Sequence, residues 1–131
     1  MDLFCYGTLR CAEVFEAVTG YARKGVEAVL DGYAAYRFVG RNYPGLVPDA
    51  GRQVSGVLYT RLDREIVTRL DRYEGDEYRK LRVRVRLADG RLRPAWVYLC
   101  RHPLRHRLSR ESWDYQLFVD KELDDYLRRL R

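Results

Sequence analysis

The sequence predicts an α+β fold in which a mostly antiparallel sheet curls or closes and helices pack against it. Strand-like stretches succeed one another through turn signals, most clearly at Asp89-Gly90 between two runs rich in β-branched residues. Only three stretches carry helical spacing, between and after the strands. The regular strand–helix alternation of a doubly wound parallel sheet is missing.

Asp2–Tyr6 reads as a short strand that runs into Tyr6-Gly7-Thr8-Leu9-Arg10, where Gly7 permits a sharp turn. Cys11–Val18 is helical, with Val14 and Val18 on one face and Gly20 as its stop. Val26–Val39, β-branched and aromatic, reads as a strand bent at Asp31-Gly32. Asn42-Tyr43-Pro44-Gly45 fits a type II turn, with proline at its second position and glycine at its third. Gln53–Thr60 is the next strand.

Asp63–Tyr73 carries the clearest helix signals. Asp63 can cap it, Leu62 can staple against Val67, and Ile66, Val67, Leu70 and Tyr73 share a face. Gly75 ends it. In Tyr78–Leu87, Leu81, Val83, Val85 and Leu87 alternate with Arg82, Arg84 and Arg86, so one strand face is apolar and the other basic. Leu92–Cys100 returns, with Pro94 near its start. Ser112–Leu130 reads as one amphipathic helix capped by Ser112, with Trp113, Leu117, Tyr126, Leu127 and Leu130 along its apolar stripe.

The chain has 131 residues, which suits one domain spanning 1–131 with its own core. Hydrophobic residues make up 47% and charged residues 34%, a globular rather than a disordered balance. Cys5, Cys11 and Cys100 are odd in number and form no CxxC pair, which argues against a disulfide framework and a cysteine zinc site and for free thiols in a reducing cytoplasm. No signal peptide and no stretch of membrane-spanning length is visible. The net charge of +6 admits an acidic partner or a solvated basic surface.

Neither a GxGxxG nor a P-loop occurs. His102 and His106 lie in an arginine-rich segment and read as surface residues. Pro103 and the lack of a nearby carboxylate argue against a helical metal pair, and Cys100 beside His102 makes a weak nucleophile–base case. Two local features remain. Glu74 ends a helix, where the dipole disfavours its charge, just before Gly75 and between Tyr73 and Tyr78. It is either a carboxyl with a raised pKa, suited to acid/base work, or an exposed glutamate beside a cap glycine, and position alone favours the second. Tyr6-Gly7-Thr8-Leu9 is either a small anion cradle of backbone amides or a plain strand–helix connection.

Taken together, Tyr6-Gly7-Thr8-Leu9-Arg10 after an N-terminal strand and Leu70-Asp71-Arg72-Tyr73-Glu74-Gly75 followed by Tyr78 resemble the γ-glutamylcyclotransferase-like family, which includes avirulence-induced plant proteins and γ-glutamylamine cyclotransferases. Tyr43-Pro44-Gly45, Val54–Tyr59, Ala95–Tyr98 and Trp113 through Tyr126 extend the similarity along nearly the whole chain. The resemblance implies a small, mostly antiparallel β-barrel with helices outside and a cavity at one mouth. It implies that Tyr6, Gly7, Thr8 and Leu9 cradle the substrate, that Glu74 is the acid/base, and that Tyr78 walls the pocket. The implied reaction takes a small γ-glutamyl substrate to 5-oxoproline and a free amine, without cofactor or metal. Arg101–Arg110 matches no family pattern, and on charge alone a basic rim would favour an acidic leaving group.

Two other readings stand beside this one. The same site could bind an amino-acid-like ligand without turning it over. A basic surface formed by Arg79, Arg82, Arg84, Arg86, Arg101, Arg105, Arg107 and Arg110 could meet nucleic acid, although no recognised nucleic-acid motif accompanies it, and arginine alternating with Leu and Val is the ordinary pattern of a half-buried strand. The oligomeric state is not legible.

Overall fold

The computed structural model describes residues 1–130. In chain order the elements are β1 (Leu3–Cys5), a 3-10 turn (Thr8–Arg10), α1 (Ala12–Thr19), β2 (Val26–Phe38), β3 (Pro44–Tyr59) and α2 (Arg64–Glu74). A second 3-10 turn (Gly75–Glu77), β4 (Tyr78–Leu87), β5 (Leu92–Cys100), a third 3-10 segment (His102–Arg107), β6 (Leu108–Ser112), α3 (Tyr115–Lys121) and α4 (Leu123–Leu130) follow.

Strands β3, β1, β5, β4 and β2 pair in that order, and β2 pairs back onto β3, so five strands close into a barrel. The β1–β5 pair is parallel and the other barrel pairs are antiparallel. β6 adds to β2 outside the closed ring. The helices pack outside.

Alternation along the strands builds two cores from one sheet. Phe4, Leu58, Val97 and Leu99 belong to a cluster inside the barrel, whereas Leu3, Cys5, Tyr59 and Tyr98 belong to a second cluster with the helices. The helices supply Val14, Phe15, Ile66, Leu70, Phe118, Leu123 and Leu127 to this second core. The α2 signals hold: Asp63 Oδ1 accepts from the Ile66 amide at 3.0 Å, and Leu62 and Val67 join the same core. Gly20 ends α1 at φ 82°, the left-handed geometry a C-terminal glycine supplies.

The bend expected at Asp31-Gly32 is present. The register slips between Asp31 and Tyr33, and residues 49–52 of β3 lie opposite Gly32. Across this slip the inward set changes parity, from Ala28 and Leu30 to Tyr33 and Ala35. β2 and β3 can thereby leave the barrel and, with β6, extend past one mouth. At β1, Gly56 is required by contact: a Cβ there would lie 2.4 Å from the Cys5 carbonyl oxygen.

Two sequence expectations are corrected. Pro44 and Gly45 are not the centre of a type II turn but the first residues of β3, paired with Arg37 and Tyr36. The reversal falls one step earlier, where the Arg41 amide bonds the Phe38 carbonyl at 3.1 Å and Gly40 takes φ 73°. A proline tolerates the first position of a strand because its missing N–H is not needed there. Hence β3 is far longer than Gln53–Thr60.

The second correction concerns the C-terminus. Ser112 ends β6 rather than capping a helix. Asp114 is the cap, its Oδ1 accepting from the Leu117 amide at 3.0 Å. The helix then breaks at Glu122, whose carboxylate accepts two hydrogen bonds from Arg37 of β2, at 2.8 and 3.1 Å. Leu117 faces outward, 41% exposed, while Phe118 takes the buried place. The break re-aims α4 so that Leu123 and Leu127 meet the helix-side core.

Candidate active site

A cavity of about 170 Å³ opens where the end of β1, the Gly7–Leu9 turn, the end of α2 and the starts of β3 and β4 converge. Tyr6, Gly7, Thr8, Leu9, Glu74 and Tyr78 all line it, so residues distant in sequence meet at one place. Tyr43, Pro44, Tyr73, Glu77, Tyr98 and Tyr126 line it too, and the sequence did not single these out as site residues. The available signal was compositional: an unusually high tyrosine count suits small-molecule sites but does not say which rings gather.

Glu74 is the last residue of α2, placed there by the Asp63 cap at one end and by Gly75 at the other. It is half-buried, and the protein packed around its carboxyl pushes its pKa up to about 8. Burial is the main cause, and the negative charges of Glu77 and then Asp71 add to it. Among the described residues it has no compensating cation and no hydrogen-bond donor. It is therefore not the solvated cap-side glutamate that position alone favoured.

Opposite runs the glycine turn. The amides of Arg10 and Cys11 close it by donating to the Gly7 and Thr8 carbonyls, both at 3.1 Å. The amides of Gly7, Thr8 and Leu9 donate to no acceptor among the described residues, which leaves three donors at the cavity lining. Gly7 itself packs under Pro44: a Cβ there would stand 3.0 Å from Pro44 Cγ and 3.1 Å from Cδ.

Tyrosine hydroxyls hold the walls. Thr8 Oγ1 and the Tyr73 hydroxyl are 2.8 Å apart, and Tyr73 in turn bonds the Tyr126 hydroxyl from α4. Tyr78 donates to the Pro44 carbonyl at 2.6 Å and meets Tyr98 edge to face. Tyr6 is buried, with its hydroxyl donating to the Tyr98 carbonyl at 2.7 Å, so its side chain props the barrel while its backbone leads into the turn. Tyr98 donates to Asp71 at 2.7 Å, and Asp71 pairs with Lys80 at 3.0 Å. Tyr43 donates to Glu77 at 3.0 Å, and burial together with that carboxylate pushes its pKa up to about 12.

The lining thus carries two carboxylates and, among the described residues, no basic side chain. The basic rim expected from overall charge is not found there. His102 and His106 are exposed, away from the cavity. Of the arginine stripe on β4, Arg82 lies over the Trp96 ring and Arg86 pairs with Asp31 at 3.1 Å. Cys5, Cys11 and Cys100 are free and buried. No helix among the described residues is long and apolar enough to cross a membrane.

Known proteins resemble this chain. The family model for gamma-glutamyl cyclotransferase, AIG2-like proteins matches residues 3–116. AIG2-like protein C of Arabidopsis thaliana is 35% identical over 88 residues, 67% of this chain and 51% of that protein. AIG2-like protein A of the same plant is 29% identical over 63% of this chain and 50% of its own length. The chain spans about half the length of these curated relatives. Among solved structures, one titled gamma-glutamyl cyclotransferase superposes with a TM-score of 0.69 at 17% identity, covering 99% of this chain and 85% of that one. Protein ytfP of Escherichia coli superposes with a TM-score of 0.58 at 30% identity, over 92% of this chain and 100% of its own. With the family model matched over most of its length and the barrel in common, the chain belongs to the gamma-glutamyl cyclotransferase, AIG2-like family.

Proposed function

We propose that residues 1–131 form one cytoplasmic enzyme domain that converts a γ-glutamyl amino acid or amine into 5-oxoproline and the free amine, with Glu74 as its acid/base. The observation that carries this reading is the pairing of an uncompensated carboxyl, with its pKa pushed up to about 8, and the unused amides of Gly7, Thr8 and Leu9 across one small cavity. Family membership supports the reaction class, and three free buried thiols suit a reducing compartment.

The substrate brings its own nucleophile. Glu74 as carboxylate takes a proton from the substrate α-ammonium, and the freed nitrogen attacks the γ-carbonyl carbon. A C–N bond forms, closing a five-membered ring, and the carbonyl oxygen becomes an oxyanion. When the oxyanion collapses, the original amide C–N bond breaks, Glu74 returns its proton to the departing nitrogen, and the attacking nitrogen, now in the ring, gives up its surplus proton, which the freed amine takes to leave as an ammonium. The unused amides of Gly7, Thr8 and Leu9 would receive the negative oxygens, either the oxyanion or the α-carboxylate. The two carboxylates of the lining favour the ammonium end, and an ammonium beside Glu74 draws its pKa back down towards the ionised form. Tyr78, tied to Pro44, walls the ring-closing space.

The test is release of 5-oxoproline from a panel of γ-glutamyl amino acids and amines by the wild type beside Glu74→Gln. Turnover by the wild type and its loss in the variant are expected. A folded wild type that binds panel members without releasing product would replace the enzyme with a binding module.

A further inference from the structure

A second, more open cavity lies near the start of β3, between β2, β3 and the 102–110 segment. It is lined by Tyr36, Val47, Arg105, Leu108, Ser109 and Arg110 and measures about 410 Å³. Leu108 of this lining packs against Gly45, where a Cβ would stand 2.8 Å from Leu108 Cδ2. The main cavity is walled by Pro44, immediately before it.

Two features of this cavity point to an anion. Arg105 Nε is buried without a hydrogen-bond partner, an unpaid desolvation in a native fold. Neither Arg105 nor Arg110 makes an ion pair among the described residues. Among the described residues no carboxylate lines the cavity. The nearest one in its bonding network is Asp49, 3.5 Å from the Tyr36 hydroxyl. The Ser109 hydroxyl already donates to the Arg37 carbonyl at 2.7 Å and accepts from the Glu111 amide at 3.1 Å, which pins the loop and leaves the guanidinium groups as the free donors.

We propose that Arg105 and Arg110 form a binding site for a phosphate group, separate from the cyclotransferase cavity. A guanidinium fork suits the oxygens of a tetrahedral dianion, and two arginines line this one cavity. The phosphate can be free or carried by a small metabolite.

The experiment measures binding of inorganic phosphate to the whole chain by isothermal titration and thermal shift, with sodium chloride at matched ionic strength. A phosphomonoester of similar size, glycerol 3-phosphate, forms the second arm. Expected is saturable phosphate binding that Arg105→Gln and Arg110→Gln each weaken about tenfold or more, as loss of a charge-assisted bond pair requires, while Arg64→Gln, exposed on α2, leaves it unchanged. Arg110 is exposed, so its variant keeps the test standing even where Arg105→Gln fails to fold. Tighter binding of the ester than of inorganic phosphate assigns the site to a phosphorylated metabolite, and the reverse assigns it to the free ion. A response that chloride reproduces, or one that Arg110→Gln leaves intact, overturns the proposal. Because the readout is phosphate binding, failure here leaves the cyclotransferase reading untouched.

Discussion

Thr8 Oγ1 lies 2.8 Å from the Tyr73 hydroxyl, so the glycine turn and the last turn of α2 are joined by side chains 65 positions apart. This bond fixes the distance between the three unused amides and Glu74, which directly follows Tyr73. Tyr73→Phe keeps the ring and removes the hydroxyl that Thr8 and Tyr126 share. We expect a stability loss of about 1 kcal/mol, as for one buried hydrogen bond, and a fall in kcat of about tenfold with KM little changed, since orientation rather than affinity is lost. Steady-state kinetics on the best panel substrate check it. An unchanged kcat would show that the hydroxyl chain only holds the fold.

Glu74→Gln should lower kcat by about 100-fold or more, the usual scale of general acid–base catalysis. Substrate affinity should persist, because the amide occupies the same space. Isothermal titration beside the activity assay separates the two effects, and joint loss of binding would make Glu74 a binding group.

The same substitution carries a stability signature. Glu74 has a folded pKa of about 8, above its ordinary value of 4.5, so the folded state holds a proton that the unfolded chain has released between those values. Its contribution is fully present below pH 4.5 and is lost as pH rises to about 8. Glu74→Gln removes this loss. Its Tm should exceed that of the wild type at pH 8 to 9, with the gap shrinking towards pH 4.5. Parallel melts across this range decide it, and a constant gap would mean that Glu74 titrates normally.

Glu77 is the larger of the two charges that raise the Glu74 pKa. Glu77→Gln keeps an acceptor for Tyr43 while removing the charge. The limb of kcat/KM that rises with pH should shift to lower pH, by about half a unit for one partly screened neighbouring charge. A pH–rate profile of each protein measures the shift.

Two glycines separate function from folding. Gly7→Ala meets only the Pro44 ring, at 3.0 and 3.1 Å, so the turn must shift by tenths of an ångström and activity should fall more than stability. Gly56→Ala meets the Cys5 carbonyl oxygen at 2.4 Å, which cannot move without breaking the β1–β3 pairing, so the folded yield should collapse. Circular dichroism melts with activity per folded molecule compare the two.

Much of this molecule was legible along the chain because its causes are local. Alternation in Tyr78–Leu87, the Asp89-Gly90 turn, the Asp63 cap and the glycine stops act through neighbouring backbone, and each appears where it was expected. Glu74 was visible as a helix-end carboxyl, and Gly7 as the turn. What the tertiary structure alone decided involves partners remote in sequence. Pro44 and Gly45 became strand because β2 lies alongside to pair with them. The last helix broke at Glu122 because Arg37, on a different element, binds its carboxylate. Barrel closure through β1 and β5, and the tyrosines that close round Glu74, likewise need the whole chain in place. The chemistry of Glu74 belongs with these. A lone glutamate ionises freely in water, and only the protein packed around it, with two more carboxylates nearby, gives it the proton affinity of a base that works near neutral pH.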